Sequence, residues 1–117
     1  MAYIRAMTPE QEFDALKSWP DDKVCELIAS RVRQLRQDGG YTQESLAALA
    51  NVPLRTFKRF EADGSATLET FVRILRALNR AHYLQLLFFA NKPQVESAYE
   101  EKIARARTRW KRADTKN

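Results

Sequence analysis

Apolar residues recur at spacings of three and four along most of the chain, and no stretch shows a convincing two-residue alternation. The pattern predicts an all-α protein built from short helices. Thr8-Pro9-Glu10-Gln11 opens the first of them: threonine can cap, proline suits the first helical position, and Gln11 can reach back to close a capping box. This helix runs to about Ser18 with Phe13 and Leu16 on its apolar side, and Trp19-Pro20 ends it. Asp21 or Asp22 is expected to cap a second helix, whose stripe is Val24, Ile28, Val32 and Leu35 and which Gly39-Gly40 stops near Asp38. Thr42 caps a third, with Leu46, Ala47 and Ala50 facing inward, and Asn51 follows as a residue that tolerates the left-handed conformation of a sharp turn. A fourth helix spans Leu54 to Glu61 with Phe57 and Phe60 as its apolar contacts. Thr67 caps a fifth, carrying Leu68, Phe71, Leu75 and Leu78, and a sixth covers about His82 to Phe89. Beyond Pro93 a last helix spans Val95 to Trp110, with Val95, Tyr99, Ile103, Ala106 and Trp110 on one stripe. The expected organisation is an N-terminal arm with a short helix (1–21), a helical domain (22–90) and a basic C-terminal helix and tail (91–117).

Composition narrows the function classes. With 117 residues, 44% hydrophobic and 30% charged, the chain supports one modest core and a well-solvated surface. Its longest apolar run, Leu86 to Ala90, is far short of the ~20 residues that span a bilayer, so no membrane association is expected. The sequence Met1-Ala2-Tyr3-Ile4-Arg5 has no long apolar stretch of the secretory kind, and the single Cys25 has no internal disulfide partner. Both point to the cytoplasm, in association with the nucleoid, and Cys25 is expected within helix packing. One histidine, His82, and one cysteine make neither a metal cage nor a catalytic constellation, so no metal, cofactor or enzymatic activity is expected. The net charge of +5 is uneven: residues 1–21 carry two bases against four acids, residues 22–94 eleven against seven, and residues 95–117 seven against four. A basic middle and tail suit a polyanion, although they equally describe a solvated surface rich in lysine and arginine.

The informative stretch is a pair of short helices joined by a tight turn: Thr42 to Ala50, Asn51-Val52, then Pro53 to Phe60. The small Ala47 lets the helices cross closely, and Val52 and Phe57 fill the angle between them. That leaves Leu54, Arg55, Lys58 and Arg59 on the outer face, with residues 55 and 59 sharing one side because they are four apart. An exposed helix with this face can enter the major groove, where arginine donates two hydrogen bonds to guanine O6 and N7. A helical hairpin with a solvated basic face is the bland alternative.

Residues 31–78 resemble the phage-repressor and Cro type of helix-turn-helix, the XRE family. The matching elements are Arg33 and Arg36, Tyr41-Thr42-Gln43-Glu44-Ser45-Leu46-Ala47, Ala50-Asn51-Val52, Thr56-Phe57-Lys58-Arg59-Phe60-Glu61, Gly64 and Leu68-Glu69-Thr70. The resemblance implies a five-helix lambda-repressor-like domain that binds a double-stranded DNA operator, as the homodimer of a transcriptional repressor. It places Leu54, Arg55 and Arg59 at base edges, and Arg33, Thr42, Gln43, Thr56 and Lys58 beside phosphates. It makes Arg36 and Glu61 a structural ion pair that braces the motif. Two positions depart from the family: Pro53 stands where a serine or threonine cap is usual, and Asn51 replaces the turn glycine. A protein-interaction module that kept the fold without DNA binding is the competing reading.

The Leu86-Leu87-Phe88-Phe89 cluster, followed by a basic helix, is similar in layout to HipB-like regulators, the antitoxins of HipA-like kinases. This resemblance implies a kinase toxin as partner and autoregulation of the protein's own promoter. Arg105, Arg109 and Trp110 in the tail fit three roles: phosphate contact, partner docking, or a solvated basic end.

Overall fold

The computed structural model describes residues 4, 6–89 and 94–115, with the backbone alone for 94–98 and 110–115. Among the described residues, the elements are α1 (Pro9–Ser18), α2 (Asp21–Asp38), α3 (Gln43–Ala50), α4 (Leu54–Asp63), α5 (Leu68–Ala77), a 3-10 segment (Ala81–Leu87) and α6 (Gln94–Thr115), and no strand occurs.

Local chemistry sets most of the boundaries. Thr8 and Gln11 form a reciprocal capping box, each side chain accepting from the other's backbone N–H at 3.2 and 3.0 Å, and Pro9 follows at the first helical position. Thr42 caps α3 and Thr67 caps α5, each accepting from the backbone three residues on. The expected aspartate cap on α2 is absent: Pro20 occupies the cap position without a side-chain bond, and Asp21 and Asp22 lie in the first turn. There their charges favour the positive end of the helix dipole instead.

Two clusters share α2. On one side Val32 joins Leu46, Ala47, Ala50, Val52, Phe57, Phe60 and Ile74, which is the core of the α2–α5 bundle. On another, Leu27 packs with Ile4 and Ala15, anchoring α1. The α1 helix buries Ala15, while Leu16 is half exposed, so its apolar side is rotated one residue from the expected one. Arg31 of α2 fixes this packing by donating to Glu12 at 2.8 Å and to the Ile4 carbonyl at 3.1 Å. The α6 helix lies against α1: Arg107 pairs with Asp14 at 2.6 Å, the Phe13 and Tyr99 rings meet at 6.4 Å, and Ile103 is buried.

Two further expectations are corrected. Residues 81–87 form a 3-10 helix rather than an α-helix, bury no residue, and leave Leu87 and Phe88 70% and 79% exposed. Asn79, at φ 58°, ends α5 in the left-handed region, and in the segment that follows, Leu84 and Leu86 are only partly buried. Cys25 is exposed rather than packed. Pro93 lies outside the described residues. No helix among the described residues is long and apolar enough to cross a membrane.

Candidate nucleic-acid interface

The turn between α3 and α4 is held by backbone chemistry. Asn51 adopts φ 58° and ψ 45°, its N–H returns to the end of α3, and the Val52 N–H reaches the Ala47 carbonyl at 2.9 Å. These bonds satisfy carbonyls that a helix end otherwise leaves open. Asparagine thus does at this turn what glycine does elsewhere. Arg73 of α5 clamps the outside, donating to the Asn51 carbonyl at 3.1 Å and to Glu69 at 2.7 Å. Val52 is buried directly beneath, so the angle between the two helices is fixed from both sides.

On α4, Phe57 and Phe60 are buried, and Phe60 meets the Phe71 ring at 6.0 Å. At ~100° per residue, positions 55, 58 and 59 then point away from the core. Arg55, Lys58 and Arg59 are all exposed. Pro53 supplies no side-chain cap, so the helix start presents free backbone N–H groups. Leu54 is half buried against the core, and Thr56 is half buried beside it. Only the outer part of Leu54 is therefore free to touch a base.

Beside this face lies a concavity lined by Arg55, Thr56 and Arg59 from α4 and by Ser65, Ala66, Thr67 and Thr70 from the following loop and the start of α5. Sequence reasoning misses Ser65, Thr67 and Thr70 because nothing in their spacing couples them to α4. Asp63 starts that loop. Hydrogen bonds from the Ser65 side chain and backbone, the latter at 2.8 Å, hold its carboxyl below the ordinary range, aided by the positive charge of Arg59.

Behind the face, a single carboxylate joins three helices. Glu61 of α4 accepts from Arg36 Nε of α2 through Oε1 and from Gln43 Nε2 of α3 through Oε2, both at 2.6 Å. The Arg36 and Glu61 side chains are 11% and 0% exposed. Arg36 also donates to the Tyr41 carbonyl at 2.9 Å, and Arg33 approaches the Glu61 carbonyl at 3.4 Å. The amide of Gln43 carries two protons. One is taken by Glu61, which orients the side chain and leaves the other for an outside acceptor. The Thr42 hydroxyl is engaged with Ser45, donating to its Oγ at 3.1 Å and accepting from its backbone N–H at 3.0 Å.

Arg105 and Arg109 lie exposed on α6, away from this cluster in the chain; Arg105 makes a loose 3.6 Å pair with Glu101. Trp110 belongs to the same helix, and its side chain falls outside the described residues. No group of three or more potential metal ligands occurs among the described residues.

Comparison with known proteins places this geometry in a family. Residues 32–83, which include the whole α3–turn–α4 unit, match the family model described as helix-turn-helix. No curated protein and no solved structure gives a significant match. The family is one of DNA-binding regulators rather than enzymes. Residues 32–83 of this chain are therefore an XRE-type helix-turn-helix domain, a DNA-binding unit of transcription regulators.

Proposed function

We propose that the protein is a sequence-specific repressor that binds double-stranded DNA as a homodimer, with α4 in the major groove. The observation that carries this reading is the exposed Arg55–Lys58–Arg59 face on the side of α4 opposite the buried Phe57 and Phe60. Two copies set ~34–36 Å apart meet successive major grooves on one side of a near-palindromic operator. Arg55 and Arg59 read base edges, aided by the exposed part of Leu54. Lys58, Thr56, Gln43, Thr42 and Arg33 serve the backbone. Covering a promoter gives repression.

Selection of a preferred duplex from random sequence, followed by gel shifts against its point variants, tests the assignment. Arg55→Ala should weaken the preferred site by about 1–3 kcal/mol and relax choice at one base position. Lys58→Ala should weaken all duplexes alike and reduce the salt slope by about 1. If both variants act equally on every sequence, the division into reading and anchoring residues fails. If wild-type affinity barely changes between ~50 and 200 mM salt, the fold serves protein interaction instead.

The exposed Leu87, Phe88 and Phe89 favour a second partner. A contiguous apolar patch on a small protein is commonly an interaction surface. It supports the dimer and, in the antitoxin reading, capture of a HipA-like kinase with autoregulation. Affinity purification of the native complex distinguishes these: a kinase in stoichiometric amount supports the antitoxin role, and a pure dimer removes it.

A further inference from the structure

The α6 helix has two faces with opposite duties, and its inner one is already occupied. Tyr99, Ile103, Ala106 and Arg107 fall within an arc of about 100° on the helix, and contacts to α1 engage this side: Ile103 is buried, Tyr99 meets Phe13, and Arg107 pairs with Asp14 while lying 5.9 Å from the Phe13 ring centre. Facing away is a second arc. Lys102, Arg105 and Arg109 share it, all exposed, and position 112 continues the register. These four positions fall within about 80° and extend over ~15 Å of helix.

We propose that this outer stripe is a second, sequence-independent DNA contact that binds the phosphate backbone of a duplex. It goes beyond the α4 reading, because it needs neither a preferred sequence nor the helix-turn-helix geometry. Three observations carry it. The stripe is free: Lys102 and Arg109 make no ion pair among the described residues, and Arg105 has only the solvent-exposed Glu101 contact at 3.6 Å. The charge is concentrated on the side away from α1, two of whose three acids are engaged elsewhere, Glu12 on Arg31 and Asp14 on Arg107. Finally, the arc holds no large apolar side chain. The centre of a protein interface is depleted in charge and enriched in aromatic residues, whereas phosphate contacts are made by lysine and arginine. The chemistry of this face is that of a polyanion partner presenting closely spaced charges, as duplex DNA does.

The docking of α6 on α1 gives the stripe its rigidity. A cation on a free tail must be ordered on binding, and a cation on a docked helix is already placed. The acidic N-terminal arm thus orients the basic C-terminal helix by drawing Arg107 inward, which leaves Lys102, Arg105 and Arg109 outward.

The test is the salt dependence of binding of the full chain to a random-sequence duplex and to its preferred operator. Lys102→Gln, Arg105→Gln and Arg109→Gln are introduced together; glutamine has a helix propensity close to that of the residues it replaces, and none of the three lies on the α1 side. The slope of log affinity against log salt should fall by about 2–3 on both duplexes, removing roughly 40-fold of the affinity change between 50 and 200 mM salt. Preference for the operator over random DNA should stay the same. A companion variant with Arg105→Lys and Arg109→Lys should retain the parent slope, because the slope counts charges. An unchanged slope in the glutamine variant overturns the proposal, and so does equal loss in the lysine variant, which marks a structural effect. The α4 reading is judged separately: Arg55→Ala relaxes choice at one base position of the operator whether or not α6 touches DNA.

Discussion

Replacing Glu61 by leucine should lower the unfolding free energy by about 3–5 kcal/mol, the cost of leaving a buried charge unpaired. The side chain it removes is fully enclosed and holds Arg36 and Gln43 at 2.6 Å each. Arg36 is itself only 11% exposed. Without Glu61 its guanidinium keeps the bond to the Tyr41 carbonyl and has no other ion pair among the described residues. Glu61→Gln should cost less, because one oxygen remains to accept from Arg36, although the amide nitrogen then faces a donor in Gln43. Replacing both partners, Arg36→Met with Glu61→Leu, should recover much of the loss, since a buried pair exchanged for apolar side chains of similar size is often near neutral. Thermal and urea melts of the parent, Glu61→Leu, Arg36→Met and the variant carrying both make a double-mutant cycle, with Glu61→Gln measured beside it. For a chain of this size, the leucine variant should melt on the order of 10–25 °C lower. If every variant loses under about 1 kcal/mol, the pair behaves as a surface pair and the brace is not structural. DNA binding adds a second readout. The double variant should be stable but bind all duplexes more weakly, because Gln43 has lost the acceptor that aims its amide.

This brace shows where sequence reasoning succeeds and where it stops. Thr8, Thr42, Asn51 and Thr67 mark helix ends by chemistry that acts within three or four residues, and such signals are legible without a fold. The outward position of Arg55 and Arg59 is equally readable, because Phe57 and Phe60 fix the inner side of one helix period. Resemblance supplies the pairing of Arg36 with Glu61, which are 25 positions apart; no spacing does. The Gln43–Glu61 bond is missed because a glutamine at a helix start also fits a phosphate contact, and only the fold shows the carboxylate beneath it.

Packing choices are missed for a related reason. Leu68 fits an apolar stripe yet is 78% exposed, while Ile74 on the same helix is fully buried. Hydrophobicity alone does not say which of several apolar positions meets the bundle. The run from Leu84 to Phe89 has too many apolar residues in succession to define one face, and its first part, to Leu87, belongs to a 3-10 segment without a fully buried side chain. The docking of α6 on α1 joins Asp14 to Arg107 across 93 positions, and no local period announces it. Charge holds a hint: an acidic arm and a basic tail in one chain attract each other wherever the fold brings them within reach.

Replacing Gly64 by alanine should destabilise the domain by about 2–5 kcal/mol, through two separable effects. Gly64 ends α4 at φ 82°, with its N–H bonded to the Phe60 carbonyl at 2.7 Å. An alanine there carries the left-handed penalty of about 1–2 kcal/mol. Its Cβ would also stand 2.5 Å from the Cys25 carbonyl oxygen and 2.7 Å from the carbonyl carbon. These are backbone atoms of α2, which cannot swing aside as a flexible side chain does, so α4 must shift away at about 1–3 kcal/mol of overpacking. Gly40 provides the internal control. It has a similar φ of 78°, but a Cβ there meets nothing within 4 Å. Gly40→Ala should therefore cost only the conformational part. The difference between the two variants in urea melts measures the close approach of α4 to α2. A difference below about 0.5 kcal/mol would mean that the two helices separate freely at this point. The functional consequence follows from the same contact. Arg55 and Arg59 ride on α4, and Gly64 lets its C-terminal end sit against the α2 backbone. A shift there tilts the exposed face while its chemistry is unchanged, so Gly64→Ala should lose operator preference at temperatures where the protein is still folded, and Gly40→Ala should not.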